Sequence, residues 1–150
     1  QYYDKLGFSY NKFADSITVS ETEWDFERYK PDIIVINLGT NDMNYATTDE
    51  RKAEFEDGYL DFLKKVRSLN PDSYIFQTYG VMGTSLEENI ENVRRKYMSE
   101  TGDERITFIP LTMQDEYADG IVADWHPSPR THSLVSQKVT AAIKETLGYK

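Results

Sequence analysis

Asp32-Ile33-Ile34-Val35-Ile36-Asn37-Leu38 runs directly into Gly39-Thr40-Asn41-Asp42. The first seven residues form a continuous apolar and largely β-branched run, which is typical of a parallel strand buried on both faces. The next four are typical of a turn, because glycine accepts unusual torsions and Asn and Asp side chains bond to nearby backbone. This part of the chain therefore predicts a strand with polar residues at its carboxyl end, where open α/β sheets bind their ligands.

Alternating helix and strand patterns follow this strand to the C-terminus. Apolar residues between Phe55 and Leu69 recur at steps of three and four, which predicts an amphipathic helix that ends near Asn70-Pro71. The later patterns predict a strand over 73–79, a helix over 86–97 capped by Thr84 or Ser85, a strand over 105–110, and a helix from Ser128 or Pro129 to Leu147. This order is typical of the α/β class, here a three-layer, doubly wound, flavodoxin-like parallel sheet with right-handed crossovers.

The first 30 residues do not follow this alternation. Their apolar side chains lack a clean period, so residues 1–30 are predicted to be an irregular lead-in, with one short helical turn over 24–29. Residues 31–150 are predicted to form the core of a single domain. A sheet of three recognisable strands leaves a long apolar edge, which invites pairing or covering. We therefore expect a domain that is incomplete at its N-terminus, with an exposed sheet edge through which the chain can associate.

The charge balance excludes several kinds of partner. The 150 residues include 17 basic and 26 acidic side chains, which give a formal net charge of −9. This charge repels nucleic acid phosphates and anionic membranes, so neither is expected as a partner, whereas neutral or cationic ligands remain open. The sequence contains no cysteine and no apolar segment long enough to span a bilayer.

Two motifs in this chain resemble sequence blocks of the SGNH (GDSL-type) hydrolases. Residues 39–42 are similar to the third block of that superfamily, and Asp124-Trp125-His126-Pro127 is similar to the fifth. With Trp24-Asp25-Phe26 and Ala123 included, the pattern is more similar to carbohydrate esterase family 2, whose members remove acetyl groups from plant cell-wall polysaccharides. The resemblance covers roughly residues 24–148, the C-terminal part of such a catalytic domain. It implies a fold of the SGNH hydrolase type and a secreted or cell-surface location.

The resemblance makes Asn41 and Gly39 the candidate oxyanion-hole residues. The Asn41 side-chain amide would donate to the oxyanion of a tetrahedral intermediate, where losing one donor costs on the order of 100- to 1,000-fold in rate. The alternative is that Asn41 is a turn residue that holds its own backbone. Gly39 is expected to allow a close backbone approach or unusual torsions after the strand. Asp42 is expected to be structural.

His126 is the candidate general base, because a histidine titrates near neutral pH and can move a proton from serine to a leaving alcohol. Asp124 resembles the residue that orients this histidine in the family, although a backbone carbonyl can hold the imidazole tautomer instead. Trp125 is expected to stack on a sugar ring or to wall the acetyl pocket, and its alternative role is packing that fixes the loop. His132 is expected to face solvent.

The nucleophile is not assigned within the chain. The family carries it in a Gly-Asp-Ser block well before residues equivalent to 39–42, and Ala14-Asp15-Ser16 resembles that block only superficially. Twenty-two residues separate Ser16 from Gly39, too few for the strands and the crossover of a dozen or more residues that should lie between them. We therefore expect that Ser16 is a loop residue and that the serine lies upstream of this chain.

The sequence as a whole predicts an esterase that hydrolyses O-acetyl esters through a Ser-His(-Asp) acyl-enzyme mechanism without a cofactor. The expected substrate is an acetylated carbohydrate, such as plant cell-wall polysaccharide, or a small ester. The alternative is a carbohydrate-binding protein or incomplete hydrolase that does no chemistry. A metal site at Asp42, Asp124 and His126 is the weaker competitor, because two histidines supply few nitrogen ligands, and no metal is expected.

Overall fold

The structure, a computed structural model, describes residues 2–8, 12–13 and 17–149, with only the backbone described at 12–13. The strands are β1 (Lys12–Phe13), β2 (Ile17–Thr18), β3 (Ile33–Asn37), β4 (Tyr74–Tyr79) and β5 (Ile106–Pro110). The α-helices are α1 (Asp49–Leu69), α2 (Glu87–Thr101) and α3 (Pro129–Leu147), and short 3-10 helices lie at Phe26–Arg28, Asp42–Asn44 and Ala123–Trp125. The predicted alternation of strands and helices is confirmed from β3 onward.

A parallel sheet contains β3, β4 and β5 in that order. Asn37 lies opposite Thr78, and Thr78 lies opposite Ile109, so the carboxyl ends of the three strands are in register. The loops that follow the strands therefore start at the same end of the sheet, which is the end where open α/β sheets bind their ligands.

Different helices cover the two faces of this sheet. On one face α1 and α2 bury a core that consists of Ile36, Ile75, Tyr79 and Ile106 from the strands and Tyr59, Leu60, Leu63, Val66, Ile90, Val93 and Tyr97 from the helices. On the other face α3 packs against a second core, Phe76, Ile109 and Leu111. Ile75 and Phe76 are neighbours in β4 and belong to opposite cores, as the two-residue period of a strand requires. The predicted three-layer α/β fold is confirmed.

One prediction about β3 was wrong. The apolar run was expected to be buried on both faces, but β3 is an edge strand of the sheet, and Val35 remains 48% exposed. The reason is that α3 packs mainly over β4 and β5 and leaves Val35 uncovered. Leu38, just beyond the strand, is also 48% exposed. Within the described residues, β3 thus forms a sheet edge with exposed apolar side chains, as expected from the sequence.

The N-terminal lead-in contains more regular structure than the sequence indicated. β1 and β2 pair in antiparallel fashion, with Lys12 opposite Thr18, and strands this short carry no readable period. The predicted helical turn is confirmed as the 3-10 helix Phe26–Arg28. The ring of Tyr3 lies 5.5 Å from that of Phe26 and 5.4 Å from that of Phe62 in α1, so aromatic packing fastens the lead-in to the core.

The predicted helix starts were half right. Ser128 caps α3 by accepting a hydrogen bond from the Thr131 N–H at 3.2 Å, and Pro129 occupies the first turn, as expected. The N-cap of α2, in contrast, is Leu86, and no side chain caps the helix there, so the prediction of Thr84 or Ser85 was wrong. The backbone makes this turn instead, because the Glu87 N–H donates to the Thr84 carbonyl at 3.1 Å.

Within the described ranges, none of the helices has the length and apolar character needed to cross a lipid bilayer.

Candidate functional site

The turn after β3 is built on Gly39. Its φ of 117° lies in a region that other residues rarely adopt, and a Cβ there would come within 3.2 Å of the Tyr79 ring. The Gly39 carbonyl accepts hydrogen bonds from the N–H groups of Asp42 and Met43, both at 3.1 Å. The unusual torsion predicted for Gly39 is confirmed, and it turns the chain sharply at the end of the strand.

Asn41 lies at the top of this turn with an exposed side chain. Its φ and ψ are −75° and −26°, and its side chain does not cap the 3-10 helix Asp42–Asn44 that follows. Within the described residues, the Asn41 amide has no hydrogen-bond partner in the fold, so it is not used to hold the turn. It remains available to a ligand at the carboxyl end of the sheet.

Asp42 carries both local structure and charge in the same turn. Its main-chain carbonyl accepts hydrogen bonds from Tyr45 and Ala46 at 2.9 and 2.8 Å. Beneath the turn, burial raises the pKa of Tyr59 to about 12, and the nearby negative charge of Asp42 acts in the same direction. The Tyr59 phenol therefore stays neutral and does not serve as a base near this turn.

The His126 side chain is held by a main-chain atom. The imidazole Nδ1 lies 3.2 Å from the carbonyl oxygen of Ala123, and the His126 N–H lies 3.2 Å from the same oxygen. A neutral imidazole bonded in this way carries its proton on Nδ1 and leaves Nε2 as a free acceptor. The side chain is exposed, so Nε2 is open to a reacting group.

Asp124 and Trp125 both have left-handed backbone torsions. Their φ angles are 54° and 62°, an arrangement that costs non-glycine residues about 1–3 kcal/mol each. This double turn brings the Ala123 carbonyl back under His126. The carbonyl thus occupies the place next to Nδ1, while the Asp124 carboxylate has no hydrogen bond to any described residue. The orienting role of Asp124 stays a prediction.

Trp125 is 67% exposed, although it lies in the middle of this turn. Its main chain is fixed, because its carbonyl accepts a hydrogen bond of 2.8 Å from the Gln114 side chain. The indole therefore stands on a rigid backbone with much of its surface open to solvent. Its role toward substrate also stays a prediction.

Asp119 fastens the base of the same loop. Its carbonyl accepts a 2.6 Å hydrogen bond from the Ser128 hydroxyl, and its carboxylate pairs with Arg130 at 2.7 Å. Both partners lie at the start of α3, so these two contacts fix the loop after β5 to the first turn of that helix. His126 lies two residues before Ser128.

The sequence-predicted site residues fall into two groups. Asp124, Trp125 and His126 share one turn, and Gly39 and Asn41 share another, both beyond the carboxyl ends of the parallel strands. In the part of the chain that the structure describes, no hydrogen bond joins the two turns. His132, in α3, is exposed as expected.

Neither a nucleophile nor a metal cluster can be assigned from the described residues. The His126 ring bonds only to Ala123 there, and Ser16, with its neighbours Ala14 and Asp15, lies outside the described residues. No group of three or more His, Asp or Glu side chains in the described residues could hold a metal ion. Sequence reasoning missed Gln114, for which no motif exists, and left the Ala123 carbonyl as an unnamed alternative.

Comparisons with known proteins show the family to which the chain belongs. The model of the GDSL-like lipase/acylhydrolase family matches residues 3–134. Among curated proteins, the cellulase/esterase CelE of Acetivibrio thermocellus is 35% identical over 148 aligned residues, which cover 93% of this chain and 17% of CelE. The acetylxylan esterase/glucomannan deacetylase of Cellvibrio japonicus is 22% identical, over 92% of this chain and 37% of that protein.

Solved structures of esterases have the same fold. The acetyl xylan esterase Est2A from the rumen bacterium Butyrivibrio proteoclasticus matches with a TM-score of 0.87 at 26% identity, over 99% of this chain and 45% of that one. A family two carbohydrate esterase from Clostridium thermocellum, solved in complex with cellohexaose, matches with a TM-score of 0.78 at 35% identity, over 89% of this chain and 42% of that one. The chain thus spans less than half the length of these relatives.

Proposed function

Because the chain belongs to the GDSL-like lipase/acylhydrolase family, we propose that it forms part of the catalytic domain of an esterase that removes O-acetyl groups from polysaccharide. The observation that carries the proposal is the 3.2 Å contact between His126 Nδ1 and the Ala123 carbonyl. It supports the tautomer in which Nδ1 carries the proton and Nε2 points away from the Ala123 carbonyl, so Nε2 is the nitrogen that can act as the general base. Family membership and the two turns at the carboxyl end of the sheet support the same reaction.

In the proposed reaction, a serine hydroxyl attacks the acetyl carbonyl carbon while His126 Nε2 takes the hydroxyl proton. The Asn41 amide and the Gly39 N–H donate to the oxygen that becomes negative in the tetrahedral intermediate. His126 then returns the proton to the departing sugar oxygen, and an acetyl-serine remains. Water hydrolyses this ester with the same base, which releases acetate and restores the serine. We expect this serine to come from sequence upstream of the chain.

The function is tested by a segment exchange, because the chain spans less than half of the related structures. In the experiment, this chain replaces the matching segment of the 35% identical Acetivibrio thermocellus esterase, which supplies its own upstream sequence. We expect the chimera to release acetate from acetylated xylan and the variant His126→Ala to lose about 100- to 10,000-fold of that rate. His132→Ala is the matched control, since this second histidine is exposed on α3, and should keep the rate.

The outcomes separate the hypotheses. A folded chimera that is inactive, or one that is indifferent to His126→Ala, would contradict the proposed role. Assaying the isolated chain with a chromogenic acetyl ester locates the nucleophile. Turnover that disappears in Ser16→Ala places it within these residues. No turnover means that the chain is an incomplete catalytic domain or a binding module, and glycan titration then separates the two.

A glycan-binding role without chemistry is the second candidate, and the exposed Trp125 indole favours it. A binding module should hold a cello-oligosaccharide equally well after His126→Ala and should show no hydrolysis in the segment exchange. An esterase should show both binding and turnover.

Two further parts of the proposal concern the surroundings of the protein. A polysaccharide substrate is consistent with a secreted or cell-surface location. Among the described strands, only β4 pairs with β3, and Val35 is exposed, so the outer side of β3 offers an edge to which another strand can be added. Val35→Lys should then lower the apparent mass in concentrated solution, measured by sedimentation, whereas an unchanged mass would argue against association at this edge.

A further inference from the structure

Gln114 connects two loops at the carboxyl end of the sheet. It belongs to the loop after β5, its main-chain N–H donates to the Val81 carbonyl at 2.9 Å, and its side-chain Nε2 donates to the Trp125 carbonyl at 2.8 Å. Val81 lies just after β4, whereas Trp125 lies in the same loop after β5 as Gln114. One residue therefore ties the loop after β4 and the start of the loop after β5 to the turn that carries His126. The connection spans 11 residues to Trp125 and 33 to Val81 along the chain.

The bond from Gln114 acts on the peptide unit that precedes the His126 side chain. The Trp125 carbonyl and the His126 N–H belong to one planar trans peptide and point in opposite directions. The carbonyl is held by Gln114 at 2.8 Å, and the N–H faces the Ala123 carbonyl at 3.2 Å. Fixing both ends of this plane fixes the point from which the imidazole projects.

The turn that carries His126 needs stabilising contacts from residues outside it. Two successive left-handed residues, Asp124 and Trp125, are costly for side chains other than glycine and persist where surrounding contacts over-determine them. Pairing across the neck of the turn, between Ile121 and Pro127, and the 2.9 Å bond from the Val122 N–H to the His126 carbonyl hold its base. The hydrogen bond from Gln114 to the Trp125 carbonyl stabilises the apex of the turn.

The amide of Gln114 has only one productive orientation. Nε2 can donate to the Trp125 carbonyl, whereas the reversed amide would place two acceptor oxygens against each other. The Gln114 Oε1 atom is buried and has no hydrogen-bond partner among the described residues, so the Trp125 bond is the contact that its side-chain amide makes. A donor at this position is therefore the property that matters.

We infer that Gln114 is a positioning residue, which keeps His126 in the tautomer with the proton on Nδ1 by holding the Trp125–His126 peptide over the Ala123 carbonyl. The inference rests on the proposed function for its catalytic meaning, because that tautomer exposes Nε2 to the reacting serine. The geometric part concerns the imidazole alone.

The experiment reads the tautomer of His126 directly by ¹⁵N NMR of the intact chain, at an alkaline pH where histidine side chains are ordinarily neutral. Gln114→Met keeps the length of the side chain and removes the donor, and Gln114→Glu keeps the shape but places an acceptor against the carbonyl. Gln137→Met is the matched control, since Gln137 is an exposed α3 residue that bonds to Ser133 in its own helix. Melting temperatures of all chains are measured alongside.

The expected result is a His126 spectrum dominated by the Nδ1–H form in the native chain and in Gln137→Met. Either Gln114 variant should move a large part of the signal to the Nε2–H form while the chain stays folded. In the active chimera, kcat should fall about tenfold or more with KM nearly unchanged. If both folded Gln114 variants keep the native tautomer, the inference is overturned, and if Gln114→Met does not fold, Gln114→Glu decides. An inactive chimera with a shifted tautomer would count against the proposed function only.

Discussion

Arg67 Nε donates a 2.7 Å hydrogen bond to Asp103 Oδ2, which joins the last turn of α1 to the residues that lead into β5. The same guanidinium donates to the carbonyls of Ser73 at 2.6 Å and Arg105 at 3.1 Å. Both charged side chains are only 14% exposed. The pair therefore braces the amino ends of β4 and β5, opposite to the end that carries the candidate site.

Replacing Arg67 by Met should destabilise the fold by about 3 kcal/mol, because it leaves the Asp103 carboxylate and several carbonyls without their donor in a mostly buried setting. The measurement is urea unfolding. Arg95→Met is the control, since Arg95 is a largely exposed partner of Glu91 at 3.1 Å and should cost less than about 1 kcal/mol. Equal losses in the two variants would show that the Arg67 network carries no special stability.

The free energy of unfolding should fall in acid because Asp103, the partner of Arg67, becomes protonated. Burial alone would raise the pKa of Asp103, but hydrogen bonds from the Arg105 N–H, the Tyr97 hydroxyl and Arg67, together with the Arg67 charge, outweigh it and hold this pKa below its ordinary value. A depressed pKa means that the folded state favours the ionised form. The stabilisation is therefore complete above the unfolded-state pKa of about 4 and disappears as pH falls through the lower folded-state value.

The check is a series of urea midpoints between about pH 6 and pH 2. The native chain should lose stability below about pH 5, and Asp103→Asn should lose less over the same interval because it cannot be protonated there. An identical slope in the two chains would mean that other carboxylates govern the acid transition.

Two glycines should respond to alanine in opposite directions. A Cβ at Gly80 would lie 2.1 Å from the Leu111 carbonyl oxygen, and its φ is 143°, so Gly80→Ala should cost at least about 2 kcal/mol. Gly58 lies in α1, and a Cβ there would meet no described atom within 4 Å beyond the backbone of its own helix, so Gly58→Ala should stabilise the chain by about 0.5–1 kcal/mol. Thermal unfolding of both variants is the measurement, and the same sign for both would contradict it.

Trp125→Ala should weaken binding of an acetylated xylo-oligosaccharide by about tenfold, roughly 1.4 kcal/mol, if the indole stacks on a sugar ring. Tyr29→Ala is a matched control, because Tyr29 is also 67% exposed but precedes β3, at the opposite end of the sheet. Calorimetric titration of both variants gives the comparison. Equal affinities would assign Trp125 to packing of the loop.

Local pattern was enough to predict the order of elements. The β-branched run at 32–38 and the three- and four-residue spacing from Phe55 to Leu69 both report on short segments of chain, and β3 and α1 follow them closely. The position of β3 at the sheet edge was not readable, because an apolar run looks the same whether a neighbouring layer is present or not. The hairpin of β1 and β2 was missed because strands of two residues are too short to show an alternating pattern.

The candidate site shows the same division. His126 and Asn41 could be proposed because side chains of a given type stand at recognisable positions next to a helix and a strand, and their roles stay predictions. Ala123 was not named because its contribution is a carbonyl, which every residue has, and its place under the imidazole depends on the left-handed torsions of Asp124 and Trp125. Gln114 was missed because its contacts join residues far apart in the chain, which only the fold brings together.

The carbonyl that holds His126 has a consequence for how this site can change. A side-chain partner can be deleted by one substitution, but the oxygen of Ala123 survives any replacement of its methyl group. Side-chain substitutions at position 123 would therefore not reveal this contact. Activity should be unchanged as long as the turn keeps its shape. Insertions, deletions and added prolines in residues 121–127 would therefore displace this carbonyl, as would loss of the Gln114 bond to the turn, whereas side-chain changes at position 123 would leave it in place.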